Sequence, residues 1–149
     1  MKSGVKVGDA MTRNIIAVSP QDNVLVCTKK LLDGEVGSVI VKDKEELKGI
    51  VTEKDILENV LMKKLDPTKV GVKDIMTDIV ETIDPGRDII DAIKIMGDKG
   101  FRRLPVVKDK KLVGLLTIKD VLKIQPDLFE LTIEKMKIKE ESDKLRRIY

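Results

Sequence analysis

The chain repeats itself. Sliding the sequence by 65 positions lays Val7-Gly8-Asp9-Ala10-Met11-Thr12 over Val72-Lys73-Asp74-Ile75-Met76-Thr77. The same register sets Pro20 on Pro85, Asp33 on Asp98, Val41 on Val106 and Leu47 on Leu112. It also carries Gly49-Ile50-Val51-Thr52-Glu53-Lys54-Asp55 onto Gly114-Leu115-Leu116-Thr117-Ile118-Lys119-Asp120 without a gap. Most other pairs exchange one aliphatic residue for another. Self-similarity at a fixed period ranks above any local signal in reading a fold. Here it divides the chain into a first copy over 5–62, a polar connection over 63–69, a second copy over 70–125 and a tail over 126–149. A unit of roughly 55 residues cannot cover its own apolar face, so the two copies are expected to bury that face against each other.

Within a copy the periodicity alternates, which predicts a mixed α/β (α+β) fold with a small sheet and two main helices per copy. A short extended piece, Ile15–Val18 or Ile79–Ile83, ends at Ser19-Pro20 or Asp84-Pro85. Proline suits the first turn of a helix and the residue before it suits the N-cap, so helices are expected there. Val24, Cys27, Leu31 and Leu32 then fall on one stripe, as do Ile89, Ile90, Ala92, Ile93 and Met96, and each helix ends near a glycine, Gly34 or Gly100. Two apolar runs follow in each copy, 36–41 with 47–52 and 101–107 with 112–117. Charged turns separate them, and they read as hairpins. A last helix opens at Thr52 or Thr117. The tail has good helix formers and scattered Leu128, Leu131, Met136 and Leu145 but no sustained heptad. Docking on the rest of the chain, contact with a second subunit and continuation into a further segment all remain open for it.

Composition narrows function. Hydrophobic residues make up 42% of the chain and only 2% are aromatic, so the interior is expected to be Val, Ile and Leu. Net charge is +3 and both signs are interspersed, which gives a nucleic-acid reading no support from bulk charge. One cysteine and no histidine leave neither an internal disulfide nor a Cys/His metal site. No stretch approaches the roughly 18 apolar residues that span a bilayer, and the cytoplasm is the expected compartment. A surplus of Lys and Glu over Asn and Gln leans toward a heat-adapted source. Cys27, on the apolar helix face where the second copy has Ala92, reads as a structural thiol.

The segment that carries chemistry is the doubled Gly-aliphatic-aliphatic-Thr-x-Lys-Asp. A strand ending in Thr at a helix start offers backbone N–H groups and a hydroxyl to an anion. Asp55 or Asp120, three residues on, can accept both hydroxyls of a ribose. The same residues also spell a plain capping box that needs no ligand. Arg102 and Arg103 open a strand, and a guanidinium fork suits phosphate; they read equally as solvated residues at a strand end. The first copy has Gly37-Ser38 there, which brings a hydroxyl and close backbone approach but no charge.

Together, Asp9–Thr12 and Asp74–Thr77, Arg102-Arg103-Leu104-Pro105-Val106-Val107 and the two Gly-x-x-Thr-x-x-Asp endings make residues 5–125 resemble a tandem pair of cystathionine-β-synthase-type (CBS) domains, a Bateman module. The resemblance implies two copies about a pseudo-twofold axis with two clefts. There AMP, ADP, ATP, S-adenosylmethionine or a relative such as NADH sets its ribose on the Asp and its phosphate near the Thr. One cleft is then marked by Thr117 and Asp120 and the other by Thr52 and Asp55. Leu115 or Ile50 would line the adenine pocket together with Thr12 and Ile15, or Thr77 and Val80, while Arg102, Arg103 and Ser38 stand at the strand starts. The resemblance further implies a homodimer and a regulated protein of unknown identity. With no Ser-His or Cys-His constellation and no phosphate loop, the residues argue against an enzyme, and no catalytic cofactor is expected. The leading reading is a regulatory sensor of adenosyl ligands. A nucleic-acid-binding module and an accessory subunit with only a scaffolding role are the alternatives.

Overall fold

The computed structural model describes residues 2–79 and 81–148, with side chains throughout except at 128, 129, 131 and 143–148. Val80 of the expected site, and Leu128, Leu131 and Leu145 of the tail, therefore lie outside the described residues or side chains. The fold is α+β. In chain order the elements are α1 (Val7–Ala10), β1 (Ala17–Val18), α2 (Val24–Gly34), β2 (Ser38–Asp43), β3 (Glu46–Thr52), α3 (Glu53–Ile56, continued by a π-helical turn Leu57–Leu61), α4 (Val72–Ile75), α5 (Ile89–Lys99), β4 (Arg103–Lys108), β5 (Lys111–Thr117), α6 (Ile118–Ile124) and α7 (Pro126–Ile148).

Two compact units emerge, and neither coincides with one sequence copy. The first comprises Met1–Asn14, Glu81–Asp109 and Val113–Tyr149; the second comprises Ile15–Val80 and Lys110–Leu112. The opening helix of each copy is thus built into the unit formed by the other. Val7 of α1 is fully buried among Ile89, Ala92, Met96, Leu104, Val106, Leu116 and Val121. Val72 and Ile75 of α4 join Val24, Cys27, Leu31, Val39, Val41 and Val51. A four-residue helix has almost no stability of its own, and its unbonded N–H groups need partners. Val7 N and Gly8 N donate to Arg87 O and Pro85 O, both at 2.9 Å, and Val72 N and Lys73 N donate to Asp22 O and Pro20 O at 2.8 and 3.3 Å. These pairs repeat at the 65-residue offset.

That arrangement corrects one expectation. The prolines do not start helices: α2 begins at Val24, where the Asn23 side chain accepts from Val26 N, and α5 begins at Ile89, capped by Asp88. Ser19–Asp22 and Asp84–Arg87 are turns, closed by Asp22 N to Ser19 O at 3.0 Å and Arg87 N to Asp84 O at 3.1 Å. Proline at the second position of a turn is as natural as proline at a helix start. Here the carbonyls of the turn are needed by α1 and α4.

In the second unit β1 runs parallel to β2, and β2 pairs antiparallel with β3, so Ser38 lies opposite Thr52. In the first unit β4 pairs with β5, and the expected strand over 79–83 contributes, among its described residues, a parallel bridge from Ile83 to Val106. The tail helix α7 docks on α5 and α6, with Thr132 and Met136 buried and Ile133 partly so.

Candidate functional site

In both units the second hairpin strand, β3 or β5, ends in a threonine with extended backbone, and that threonine caps the helix that follows, α3 or α6. Thr117 N donates to Asp120 Oδ2 at 2.9 Å, and Asp120 N donates to Thr117 Oγ1 at 3.3 Å. Thr52 and Asp55 match this with 2.9 and 3.2 Å. The local capping reading is therefore correct as far as it goes.

What capping alone does not require is the third strand at the corner. In the first unit Thr12 pairs antiparallel with Leu115, with both N–H···O bonds at 2.9 Å. In the second, Thr77 pairs with Ile50 at 2.9 and 2.8 Å. A glycine permits each approach. A Cβ on Gly49 would stand 2.7 Å from Thr77 O, and one on Gly114 would strike Met11 Sδ and lie 3.1 Å from Thr12 O. The motif glycines, to which the sequence reading assigned no role, are thus close-approach positions. The doubled Met-Thr pair, whose methionine covers the glycine, was the available signal.

The two corners differ at the carboxylate. Thr12 Oγ1 donates to Asp120 Oδ1 at 3.1 Å, and Thr117 Oγ1 donates to Oδ2 at 3.0 Å. With only 8% of its surface exposed, Asp120 is the one charged residue buried among those described. Burial of a carboxylate is tolerable because each oxygen receives a donor. Asp55 is half-buried, and among the described residues Thr77 makes no matching bond to it. The second-unit carboxylate thus keeps more of its acceptor capacity for a visitor.

Arg102 O accepts from Ile118 N at 3.0 Å, and Gly37 O accepts from Glu53 N at 3.1 Å, so the Arg102-Arg103 and Gly37-Ser38 segments stand at these same helix starts. Arg103 is half-buried, and burial together with the neighbouring Arg102 charge lowers its pKa from the usual range. The exposed Arg102 side chain lies 3.8 Å from Glu140 Oε1 of α7, a partner the sequence did not suggest. Thr12, Leu115, Thr117, Asp120, Arg102 and Arg103 share the first unit; Ser38, Ile50, Thr52, Asp55 and Thr77 share the second. Ile15 belongs to the second unit. Cys27 is buried in the second-unit core, where desolvation, then the Asp22 and Asp55 charges, push its thiol up to about 11 against a small opposing effect of Lys30. Among the described residues no group of three His, Cys, Asp or Glu side chains is placed to hold a metal ion.

The profile of the CBS domain matches residues 7–62 and again 72–127. The chain belongs to the CBS-domain family. It carries two such domains in tandem, and it is similar to other small proteins of that kind. The uncharacterized protein MK0525 of Methanopyrus kandleri is 38% identical over 135 residues, which is 89% of this chain and 69% of the relative. MJ0450 of Methanocaldococcus jannaschii is 35% identical over 116 residues, 76% of this chain and 62% of the relative, so the curated relatives extend beyond the matched region. Among solved structures, CBSX2 in complex with AMP is 31% identical, with a TM-score of 0.70, and the match covers 80% of this CBS pair and 95% of CBSX2. The same protein, from Arabidopsis thaliana, also matches in a second structure at 30% identity and a TM-score of 0.72, covering 81% and 94%. TA0289 of Thermoplasma acidophilum, at 19% identity, supports the fold, with a TM-score of 0.75 over 92% of this chain and 76% of its own. No described helix is long and apolar enough to cross a membrane.

Proposed function

We propose that this CBS pair is a regulatory sensor of adenosyl ligands, binding AMP, ADP, ATP or a relative such as S-adenosylmethionine or NADH. A protein partner reads the bound state, and the working form is a homodimer. The observation that carries the reading is the doubled corner in which a strand-end Thr, an Asp one helical turn later and an edge-paired Thr from the other sequence copy come together. A carboxylate beside two hydroxyls accepts from a ribose diol. At the first corner a ribose hydroxyl takes over the donation that Thr12 makes to Asp120. The half-buried Arg103 beside that corner favours ligands that carry phosphate. Ser38 holds the equivalent place at the second corner and lends no charge, so the two sites differ in affinity for charged nucleotides. AMP bound to CBSX2 supports the ligand class.

A ligand that favours one arrangement of the chain shifts it toward that arrangement by its difference in affinity. It also raises the melting temperature. At one hundred times its Kd a single bound ligand adds about 2.7 kcal/mol, roughly 5–10 °C for a chain of this size. A thermal-shift titration across AMP, ADP, ATP, S-adenosylmethionine and NADH tests the proposal. Saturable stabilisation by at least one of them is expected, and a flat response to all five rejects it.

A further inference from the structure

The tail helix is seated on the first unit by two kinds of contact, and they divide along its length. α7 lies across α5 and α6, with Thr132 and Met136 buried and Ile133 packed on the core. Its seat is cut into α5: a Cβ on Gly97 would lie 2.9 Å from Lys135 Cδ, and one on Gly100 would stand 3.3 Å from Lys139 Cδ. At the 65-residue offset those glycines correspond to Leu32 and Glu35, so of the two equivalent helices only α5 has the missing side chains that this approach uses. Beyond Met136 the character changes. No residue from 137 to 142 is buried, and Ile138 is 67% exposed. This outer part meets the unit through charged side chains, Lys139 over Gly100 and Glu140 at Arg102, where Oε1 lies 3.8 Å from Nη2. A segment with so little apolar burial opens at small cost.

Arg102 ties that contact to the first corner. Its carbonyl accepts from Ile118 N, the residue after Thr117, at 3.0 Å, so its guanidinium stems from the backbone beside Thr117 and Asp120. Arg103 next to it is half-buried, and among the described residues no acid pairs with it. One carboxylate, Glu140, therefore answers two adjacent cations. A phosphate monoester, with about two negative charges at neutral pH, is the better counter-ion for such a pair. The contact it must displace is weak: an ion pair whose partners are 71% and 57% exposed contributes little.

We propose that Glu140 is a built-in rival of the ligand's phosphate for Arg102, and that phosphate is bound at the first corner in exchange for the outer part of α7. The segment 137–142 then changes its exposure with the phosphate, which gives a partner something to read. At the second corner Gly37-Ser38 offers no cation for such an exchange. The inference rests on the nucleotide reading above and adds its output. The test uses the full chain carrying Asp55→Asn, so that the first corner alone reports. In calorimetry Glu140→Gln is expected to raise AMP affinity about two- to fivefold, the effect of removing one exposed ionic rival, and to leave adenosine affinity unchanged. Glu141→Gln, an equal change of charge one position along, is expected to move neither. With Arg102→Ala present, Glu140→Gln is expected to add nothing. Amide hydrogen exchange follows the helix itself: saturating AMP is expected to speed exchange over 137–142, adenosine to leave it as it was, and Glu140→Gln to speed it without ligand. An AMP affinity indifferent to Glu140→Gln, or exchange over 137–142 that AMP leaves unchanged or slows, overturns the inference while the nucleotide reading stands. Loss of all AMP binding on Asp55→Asn, when wild type binds, does the same. Failure of wild type to bind AMP removes both.

Discussion

Replacing Gly49 by Ala tests whether the corner depends on close backbone approach. Neither Gly49 nor Gly114 has a positive φ, so alanine brings no backbone strain and its effect is steric. At Gly49 the new methyl would lie 2.7 Å from Thr77 O, a backbone atom already bonded to Ile50 N at 2.9 Å. The Thr77 strand must retreat by several tenths of an ångström. That loosens the two Ile50–Thr77 bonds, each worth about 1 kcal/mol, and overpacks the contact by about 1–3 kcal/mol. The stiffer unfolded chain returns about 0.5–1 kcal/mol, leaving a net loss of about 2–4 kcal/mol. At Gly114 the first obstacle is the thioether of Met11, which can turn aside, and Thr12 O stands farther off at 3.1 Å. Gly114→Ala is therefore expected to cost about 1–2 kcal/mol less than Gly49→Ala. Urea unfolding of the three proteins measures the difference, and amide exchange at Ile50 and Thr77 locates it. Equal losses, or a larger one at Gly114, would refute the steric argument.

Thr12→Val keeps the backbone pairing with Leu115 but removes the hydroxyl from the buried Asp120. A loss of about 1–3 kcal/mol is expected in urea unfolding, and an unchanged stability would contradict the buried contact. The Cys27 thiol makes the fold sensitive to alkali. Its pKa is raised in the folded chain to about 11 from 9.0, so the folded state holds its proton where the unfolded chain has released it. The stabilisation it contributes is whole below pH 9 and falls as pH climbs toward 11, by an amount on the order of 2–3 kcal/mol. Cys27→Ala should flatten that part of the stability–pH profile relative to wild type, and an unchanged slope would contradict the assignment. Arg103→Ala is expected to weaken ATP and ADP more than adenosine in calorimetry, by about tenfold or more for the phosphorylated ligands, the loss of one charge-assisted contact.

What could be read from the sequence follows the distance over which each interaction acts. Thr52 with Asp55, and Thr117 with Asp120, are three residues apart, and the capping geometry sits where the residues put it. The hairpins were equally local, and so were the helix stripes except at Leu32, which lies on the edge of the α2 stripe and is 72% exposed rather than buried with Val24, Cys27 and Leu31. Pro20 and Pro85 misled because the same residue suits a helix start and a turn, and the choice was made by α1 and α4, which take the turn carbonyls from far along the chain. The exchange of those helices between copies could not be read locally, since Val7 and Val72 show their role only once buried. The contact of Thr12 with Asp120 joins residues 108 positions apart, and it was accessible through the duplication and the family resemblance alone. The docking of α7 turned on Gly97 and Gly100, whose missing side chains leave no mark in a hydrophobic pattern.

Isothermal calorimetry of AMP against wild type, Asp55→Asn, Asp120→Asn and the double variant addresses the nucleotide-sensing reading most directly. Saturable binding by wild type is expected, with each single substitution weakening one class of site by about tenfold or more and the double variant failing to bind. AMP that binds the double variant with wild-type affinity and stoichiometry, or that does not bind wild type at all, would contradict it.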